Sequence, residues 1–304
     1  MELQWPLILF TTLVAWSAGL FGAQAVAVLR GGGGRAQMPA LVASVALLAA
    51  GGIAVFFHLQ HWERIFNGFG HLTSGITQEL IAIVVFVVVA VAYFVMLRKS
   101  SDGTVPKWLA VCAVVIALVT SAVCAHSYTM AARPAWDSVL WIAAVLGEAC
   151  VLGPATYQLL ASAFSTMAAG DPGEQPAMRA ADVEGPAGLI PLAGALVNAV
   201  TAAAFAAFLQ LSAGSFATVG YYFDPTHPTK AMADAAATVA GQAPLLWAGA
   251  VAVGALVPLV ACFLGRKSGN WKLWGTVALA AALIGAVCLR VVFYNLGLSV
   301  FMFY

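Results

Sequence analysis

The segment "TQELIAIVVFVVVAVAYFVML", residues Thr77–Leu97, is an apolar run whose only ionisable side chain of the Asp, Glu, Lys, Arg or His type is Glu79, near its start. About 20 apolar residues in an α-helix cross the hydrocarbon core of a bilayer. A helix also satisfies its own backbone polar groups where water is excluded. This segment therefore predicts a transmembrane helix.

Seven similar runs flank this one, and the composition agrees with them. The chain has 304 residues, of which 62% are hydrophobic and 8% are charged, whereas soluble domains carry about 25% charged residues. We therefore predict an all-α polytopic membrane protein with eight transmembrane helices in two four-helix bundles. It would form a single integral membrane domain over 1–304, with helices 1–4 at about 5–131 and helices 5–8 at about 139–295. The eight runs lie at roughly 5–29, 39–57, 77–97, 108–131, 139–168, 187–212, 243–264 and 273–295.

Basic residues are unevenly distributed between the two sets of loops. Only three of them, Arg64, Arg133 and Lys230, fall on one side, whereas nine fall on the other. The positive-inside rule places the richer side in the cytoplasm, so both termini are expected on the outer, periplasmic side. The acidic, Pro/Gly-rich segment at about 169–186 is expected to be a flexible cytoplasmic linker between the two halves. The richer side carries Arg30, Arg35, Arg98, Lys99, Lys107, Arg179, Arg266, Lys267 and Lys272.

The cysteine pattern and the net charge argue against two classes of function. All five cysteines lie inside apolar runs, and none has a CxxC or CxxCH spacing. Iron–sulfur clusters need four thiolates, and c-type haem needs CxxCH, so no such cofactor is expected in this chain. A net charge of +1 without a basic tract gives no indication of nucleic-acid binding.

The most polar stretch of the chain, "HLQHWERIFNGFGHLTSGITQE", joins the second and third apolar runs at residues His58–Glu79. Its apolar residues from Leu59 to Phe69 recur at helical spacing, with Trp62 among them. This pattern predicts a short amphipathic helix in the membrane interface. It would cover the outer end of the helices.

Ionisable residues inside the apolar runs are expensive, at about 2.5–3.5 kcal/mol each near the bilayer centre, so each is a hypothesis of function. Four of them are expected near the outer leaflet, because His58 ends the second run, Glu79 opens the third, and His126 and Arg290 each lie about five residues from an outer end. Glu148 is expected near mid-membrane. The structural alternatives are interfacial positions for His58 and Glu79, outward snorkelling of Arg290, and a hydrogen-bonded structural carboxyl for Glu148.

Two redox chemistries suit histidine, arginine and glutamate at one membrane face. A bis-His b-type haem would use His58 and His126, but cytochromes that carry electrons across a membrane need ligand pairs at two depths. Oxidation of a lipid-soluble quinol instead needs a proton acceptor and hydrogen-bond donors, which these side chains provide. The electrons would then pass to a redox centre in a partner.

The polar stretch contains the pattern H-L-x4-R-x2-N, followed by an acidic residue that opens the next helix, and in this it resembles the membrane anchor subunits of dimethyl sulfoxide reductases. The segments "HSYTMAARPAWDS", His126–Ser138, and "LRVVFYNLG", Leu289–Gly297, are also similar to segments of that family. Asp137 stands where the family pattern has Asn. The gap before Glu79 is about one residue shorter than in that pattern.

This resemblance implies an eight-helix, quinol-oxidising anchor that binds no cofactor itself. It implies a heterotrimer with an iron–sulfur subunit and a molybdopterin catalytic subunit, a multi-pass position in the cytoplasmic membrane, and menaquinol as the donor for anaerobic respiration. By the motif, His58 is the quinol-site histidine, Arg64 and Asn67 belong to its loop, and Glu79 is its acid. The roles of His61 and His71 stay open.

We therefore predict catalytic roles for His58 and Glu79. His58 hydrogen-bonds a menaquinol oxygen and accepts a proton, and Glu79 or His126 passes protons outward. The predicted quinol-binding residues are His58, Arg64, Asn67, His126 and Arg290.

Two other functions stay open. One is a secondary transporter with Glu148 as its coupling site, which would need Gly/Pro-broken helices in both halves. Pro154 and Pro258 interrupt runs of the second half only. The other is a b-type cytochrome anchor subunit.

Overall fold

Eight helices that are long and apolar enough to cross a membrane make up the described part of the chain, in a computed structural model that describes residues 4–59, 61, 70–168, 188–216 and 235–297. Over these residues there is no strand, and the predicted all-α fold with eight spans is confirmed. The predicted linker at about 169–186 lies outside the described residues. The helices are α1 Trp5–Leu29, α2 Gln37–Phe56, α3 Gly75–Lys99, α4 Lys107–His126, α5 Val139–Ala168, α6 Leu189–Phe216, α7 with sections Ala235–Pro244, Leu245–Leu256 and Val257–Ser268, and α8 Trp271–Asn295.

The helices pack as two groups of four. In the first group α1 packs against α2 and α4, and α3 packs against α4; in the second, α5 packs against α6 and α8, and α7 packs against α8. Aromatic rings fill the first core, where Phe21 lies 4.9 Å from Phe86 and 5.3 Å from Tyr93 between ring centroids. The two groups meet mainly where α1 contacts α5.

Glycines allow α1 and α5 to approach closely. A Cβ atom added to Gly19 would collide with the backbone of Ala149, and one added to Gly153 would collide with the backbone of Gly19. Small residues take this role between membrane helices because lipid is as apolar as leucine, so close van der Waals packing must supply the attraction. The α1–α5 seam, defined by Gly19, Ala149 and Gly153, therefore joins the two bundles.

The middle section of α7, Leu245–Leu256, is π-helical, and a proline follows it. Pro258 has no N–H, so it cannot donate to the carbonyl of Gly254 four residues earlier. Asn198 of α6 supplies the missing donor, because its Nδ2 lies 3.0 Å from the Gly254 oxygen. A side-chain amide thus satisfies the backbone where the regular ladder is interrupted.

Replacing Asn198 with leucine should lower the thermal unfolding midpoint of the purified chain. The change keeps the number of side-chain heavy atoms and the branch at Cγ but leaves a buried carbonyl unpaired, which costs about 1–3 kcal/mol. Thr276→Val is the control, because the Thr276 hydroxyl is exposed and bonds only its own helix, at 2.6 Å from the Lys272 oxygen. Equal midpoints for the two variants would contradict this role of Asn198.

One end of the helices carries the basic loops. The backbone N–H of Gly34 donates to the oxygen of Gly103 at 3.1 Å, so the α1–α2 and α3–α4 loops lie together. Arg30, Arg35 and Arg98 are at or beside these two loops. We call this the basic end, and the opposite end holds the polar stretch that includes His58.

Candidate functional site

A buried arginine and a buried glutamate pair at the contact between the two bundles. Arg290 of α8 is 0% exposed, and its Nη1 bonds Oε2 of Glu148 on α5. Its Nε donates to the Thr11 hydroxyl at 2.9 Å, and its Nη2 donates to the Thr11 carbonyl at 3.2 Å. Arg290 therefore does not snorkel outward. It ties α1, α5 and α8 together.

A second buried carboxyl lies nearer the end of the helices that is opposite to the basic end. Glu79, in the second turn of α3, is 8% exposed and accepts a hydrogen bond from the Ser127 hydroxyl. Ser127 directly follows the end of α4, and its oxygen lies 3.1 Å from the Cys124 carbonyl. Gly75 makes this contact close, since a Cβ there would lie 2.7 Å from the Cβ of Ser127. The start of α3 and the end of α4 therefore hold Glu79 out of solvent.

Two tyrosines occupy the space between these carboxyl groups. The Tyr128 ring lies 5.9 Å from the Tyr294 ring in an edge-to-face arrangement. Tyr294 is four residues after Arg290, which is one helical turn. Burial raises the pKa of Tyr128 well above its usual value, and the neighbouring Tyr294 and Glu79 add to this, so Tyr128 keeps its proton. We call the following set the polar row: Glu148, Arg290, Tyr294, Tyr128, Ser127 and Glu79.

Aromatic rings fasten the α4–α5 loop to the end of α8. Phe293 is stacked between Trp136, at 4.6 Å, and Trp141, at 3.7 Å between ring centroids. Nε1 of Trp136 donates to the Phe293 carbonyl at 2.6 Å, and Arg133 donates to the Gly297 carbonyl at 3.0 Å. This cluster covers the polar row from the side of the second bundle.

The predicted site residues fall into three groups: some lie outside the described residues, some are exposed, and Glu79 and Arg290 are buried. Arg64 and Asn67 lie outside the described residues, as does most of the expected interfacial helix that includes Trp62. His58, which follows the end of α2, and His126, the last residue of α4, are both exposed. His61, His71 and Asp137 are exposed as well.

The structure joins only some of the predicted residues. Glu79 contacts Ser127, the residue after His126, whereas the His126 ring lies 3.0 Å from the Thr129 hydroxyl. Arg290 bonds Glu148 rather than Glu79. In the part of the chain that is described, no hydrogen bond or ion pair joins the His58 side chain to another residue.

Sequence reasoning assigned no role to four residues that build this arrangement. Tyr128 and Tyr294 lie inside the two segments quoted for their resemblance, so their positions beside His126 and Arg290 were a usable signal. Thr11 and Ser127 carry no comparable signal, because hydroxyl residues are common in membrane helices and at their ends.

Metal ligands are not clustered in the described residues. Over those ranges, no group of three or more His, Cys, Asp or Glu side chains is placed so that it could hold a metal ion. The five cysteines are free thiols.

Together these features define the class of protein: a multi-pass, all-helical membrane protein of two helix bundles, with a row of polar side chains that runs from the buried Arg290–Glu148 pair to the buried Glu79. The family model described as the DMSO reductase anchor subunit (DmsC) matches residues 1–170, which contain α1 to α5. The chain belongs to this family, and it is a membrane anchor of a DMSO reductase-type enzyme. No curated protein and no solved structure matches the chain.

Proposed function

We propose that this anchor oxidises menaquinol at the end of the bundle where Glu79 and Ser127 meet. It would pass the electrons to an iron–sulfur subunit that is bound, with a molybdopterin catalytic subunit, in a heterotrimer. The observation that carries the proposal is the Glu79 carboxyl, buried at a helix end and bonded by the Ser127 hydroxyl. Family membership supports the assembly with catalytic and iron–sulfur subunits.

The oxidation of menaquinol, the proposed electron donor, determines which chemical groups the site must provide. Menaquinol loses two electrons and two protons when it becomes menaquinone, so the site needs proton acceptors and an electron acceptor. We propose that His58 hydrogen-bonds one quinol oxygen and takes its proton, since an imidazole nitrogen can act as a general base. Glu79 takes part in passing protons outward, with His126 at the neighbouring helix end. The electrons leave to the partner's cluster.

The remaining predicted residues have supporting roles in this proposal. Arg64 and Asn67 come from the motif that follows His58, and they would orient the quinol ring. Arg290 lies one helical turn from Tyr294 and four residues beyond Ala286, whose carbonyl it bonds at 3.2 Å. Arg290 would set the polarity beneath the site rather than touch the quinol.

We propose that the anchor is a multi-pass protein of the cytoplasmic membrane with both termini outside. The basic residues of the α1–α2 and α3–α4 loops support this orientation, because such residues favour the cytoplasmic side. The partner subunits would then dock on the outer face, above His58 and Glu79.

His58→Ala in the intact complex tests the quinol site. Removal of a general base lowers turnover by about 10²-fold or more, so quinol-dependent reduction of the terminal acceptor should fall by about that factor. Turnover with an artificial soluble electron donor should stay at the wild-type rate. The matched control is His71→Ala, because His71 is also exposed but lies outside the motif. Unchanged quinol-dependent turnover in His58→Ala would refute the assignment.

Family membership favours an anchor over a secondary transporter. The pairing of Glu148 with Arg290 is also what a structural carboxyl shows. A b-type cytochrome is tested separately by the visible spectrum of the purified chain. We expect no haem Soret band, and such a band would overturn the proposal that this chain binds no cofactor.

A further inference from the structure

An apolar groove of about 460 Å³ lies between the two bundles in the half of the molecule nearer the basic end. Four helices line it: α1, α4, α5 and α6. Its volume falls within the range of about 300–1,000 Å³ that is usual for ligand pockets. We call it the interbundle groove, and the stretch from Ala18 of α1 to Arg30, which follows α1, marks its length.

The shape of the groove suits a hydrocarbon chain. A helix rises about 1.5 Å per residue, so the stretch from Ala18 to Arg30 is about 18 Å long. One leaflet of the hydrocarbon core is about 15 Å thick. Gly22 and Ala193 are among the small residues that line the groove, and small side chains leave room for a ligand beside the helix backbone.

The charge of the groove is confined to its mouth. Arg30, the residue after the last turn of α1, lines the groove and is exposed. Among the described residues its guanidinium has no hydrogen-bond or ion-pair partner. An arginine binds phosphate through a planar fork of N–H donors. Apolar walls that end at one cation match a lipid with an anionic headgroup.

We propose that the interbundle groove binds one anionic phospholipid from the leaflet at the basic end. An acyl chain lies between α1, α4, α5 and α6, and the phosphate bonds Arg30. Basic pockets between membrane helices bind anionic headgroups in this way. The lipid would fill the contact between the bundles beside the α1–α5 seam, on the side away from the proposed quinol site.

Native mass spectrometry of the intact, detergent-purified complex tests the proposal. The complex is titrated with phosphatidylglycerol or with phosphatidylcholine that has the same acyl chains. One phosphatidylglycerol should bind about fivefold more tightly than phosphatidylcholine, the factor that corresponds to about 1 kcal/mol per basic residue. Arg30→Gln should remove this preference. The matched control Arg98→Gln should keep it, because Arg98 is an exposed arginine at the same end that does not line the groove.

A second variant tests the groove itself. Ala193 lines the groove and is exposed, so Ala193→Phe should fill the space and lower the binding of both lipids. Val200→Phe puts the same side chain on an exposed position of α6 outside the groove, and it should bind lipid like the wild type. If Ala193→Phe does not assemble, the comparison of Arg30→Gln with Arg98→Gln decides the question, because neither arginine is buried.

Three results would overturn the proposal: equal affinity of the wild type for both lipids, equal effects of Arg30→Gln and Arg98→Gln, or a retained quinone in place of a phospholipid. A substitution at Ser121 distinguishes a bound quinone from a bound phospholipid. Its buried hydroxyl lines the groove and has no partner among the described residues. Ser121→Ala should leave phosphatidylglycerol binding unchanged. It should weaken the binding of a quinone whose polar ring lies at the end of the groove opposite to Arg30.

Discussion

Arg290→Leu is expected to prevent the accumulation of folded anchor in the membrane. The substitution leaves the Glu148 carboxyl, 4% exposed, without its partner between the bundles. Removing one member of a buried ion pair costs about 3–5 kcal/mol, which is a large part of a typical stability of about 5–15 kcal/mol. The amount of monodisperse anchor after extraction from the membrane, and its unfolding midpoint, measure the effect.

The double variant Glu148→Leu/Arg290→Leu shows whether the loss of folded protein comes from the unpaired Glu148 carboxyl or from the other bonds of Arg290. Replacing a buried ion pair with apolar residues of similar volume is often neutral or stabilising, so the double variant should recover most of the folded protein. If it is as unstable as Arg290→Leu alone, the bonds of Arg290 to Thr11 and Ala286 hold the fold instead. Quinol-dependent turnover of the recovered double variant then tests whether Arg290 also sets the polarity beneath Tyr294.

Gly153→Ala is expected to have the second largest effect, by separating α1 from α5. A single methyl group at this position collides with the backbone of Gly19, and backbone cannot move aside as a flexible side chain can. Overpacking a close contact costs about 1–3 kcal/mol and at times more. The thermal unfolding midpoint should therefore fall by several degrees, and the yield of assembled complex should fall with it.

Gly52→Ala is the matched control for this substitution. Gly52 lies near the end of α2, four residues before Phe56, and an added Cβ meets no atom within 4 Å. Alanine is also the better helix former by about 1 kcal/mol in water, so this variant should be as stable as the wild type or more so. If Gly52→Ala lost as much stability as Gly153→Ala, the close approach of α1 and α5 would not be the cause of the loss at Gly153.

The eight helices could be predicted from sequence because lipid demands a long apolar run for each span. The first and last residues of a helix could not be predicted where interactions other than contact with lipid end or extend that helix. α4 ends at His126, earlier than the expected position near 131, because residues from Ser127 onwards make turns such as Arg133 N–H to the Met130 oxygen at 2.9 Å. Helix α7 begins at Ala235, before the expected 243, because its first section, Ala235–Pro244, is less apolar than the section that follows it.

The depth of the polar residues could be predicted better than their partners. Counting residues along each run placed His58, Glu79 and His126 at one end, and the structure has all three at the end opposite to the basic loops. The same counting set Arg290 and Glu148 at different depths, yet they are bonded. Counting locates the Cα atom only, whereas a long arginine side chain and the rotation of each helix decide which groups meet.

The Arg290–Glu148 pair also has a consequence for how the protein is made. Glu148 enters the membrane with the fifth helix, and its partner is 142 residues later in the chain, on the last one. Until that helix is synthesised, the carboxyl has no cation beside it. A truncated or stalled product would therefore expose an uncompensated acid to lipid, which costs about 2.5–3.5 kcal/mol near the bilayer centre. The bond that stabilises the finished anchor can therefore form only after the chain has been made as far as its last helix.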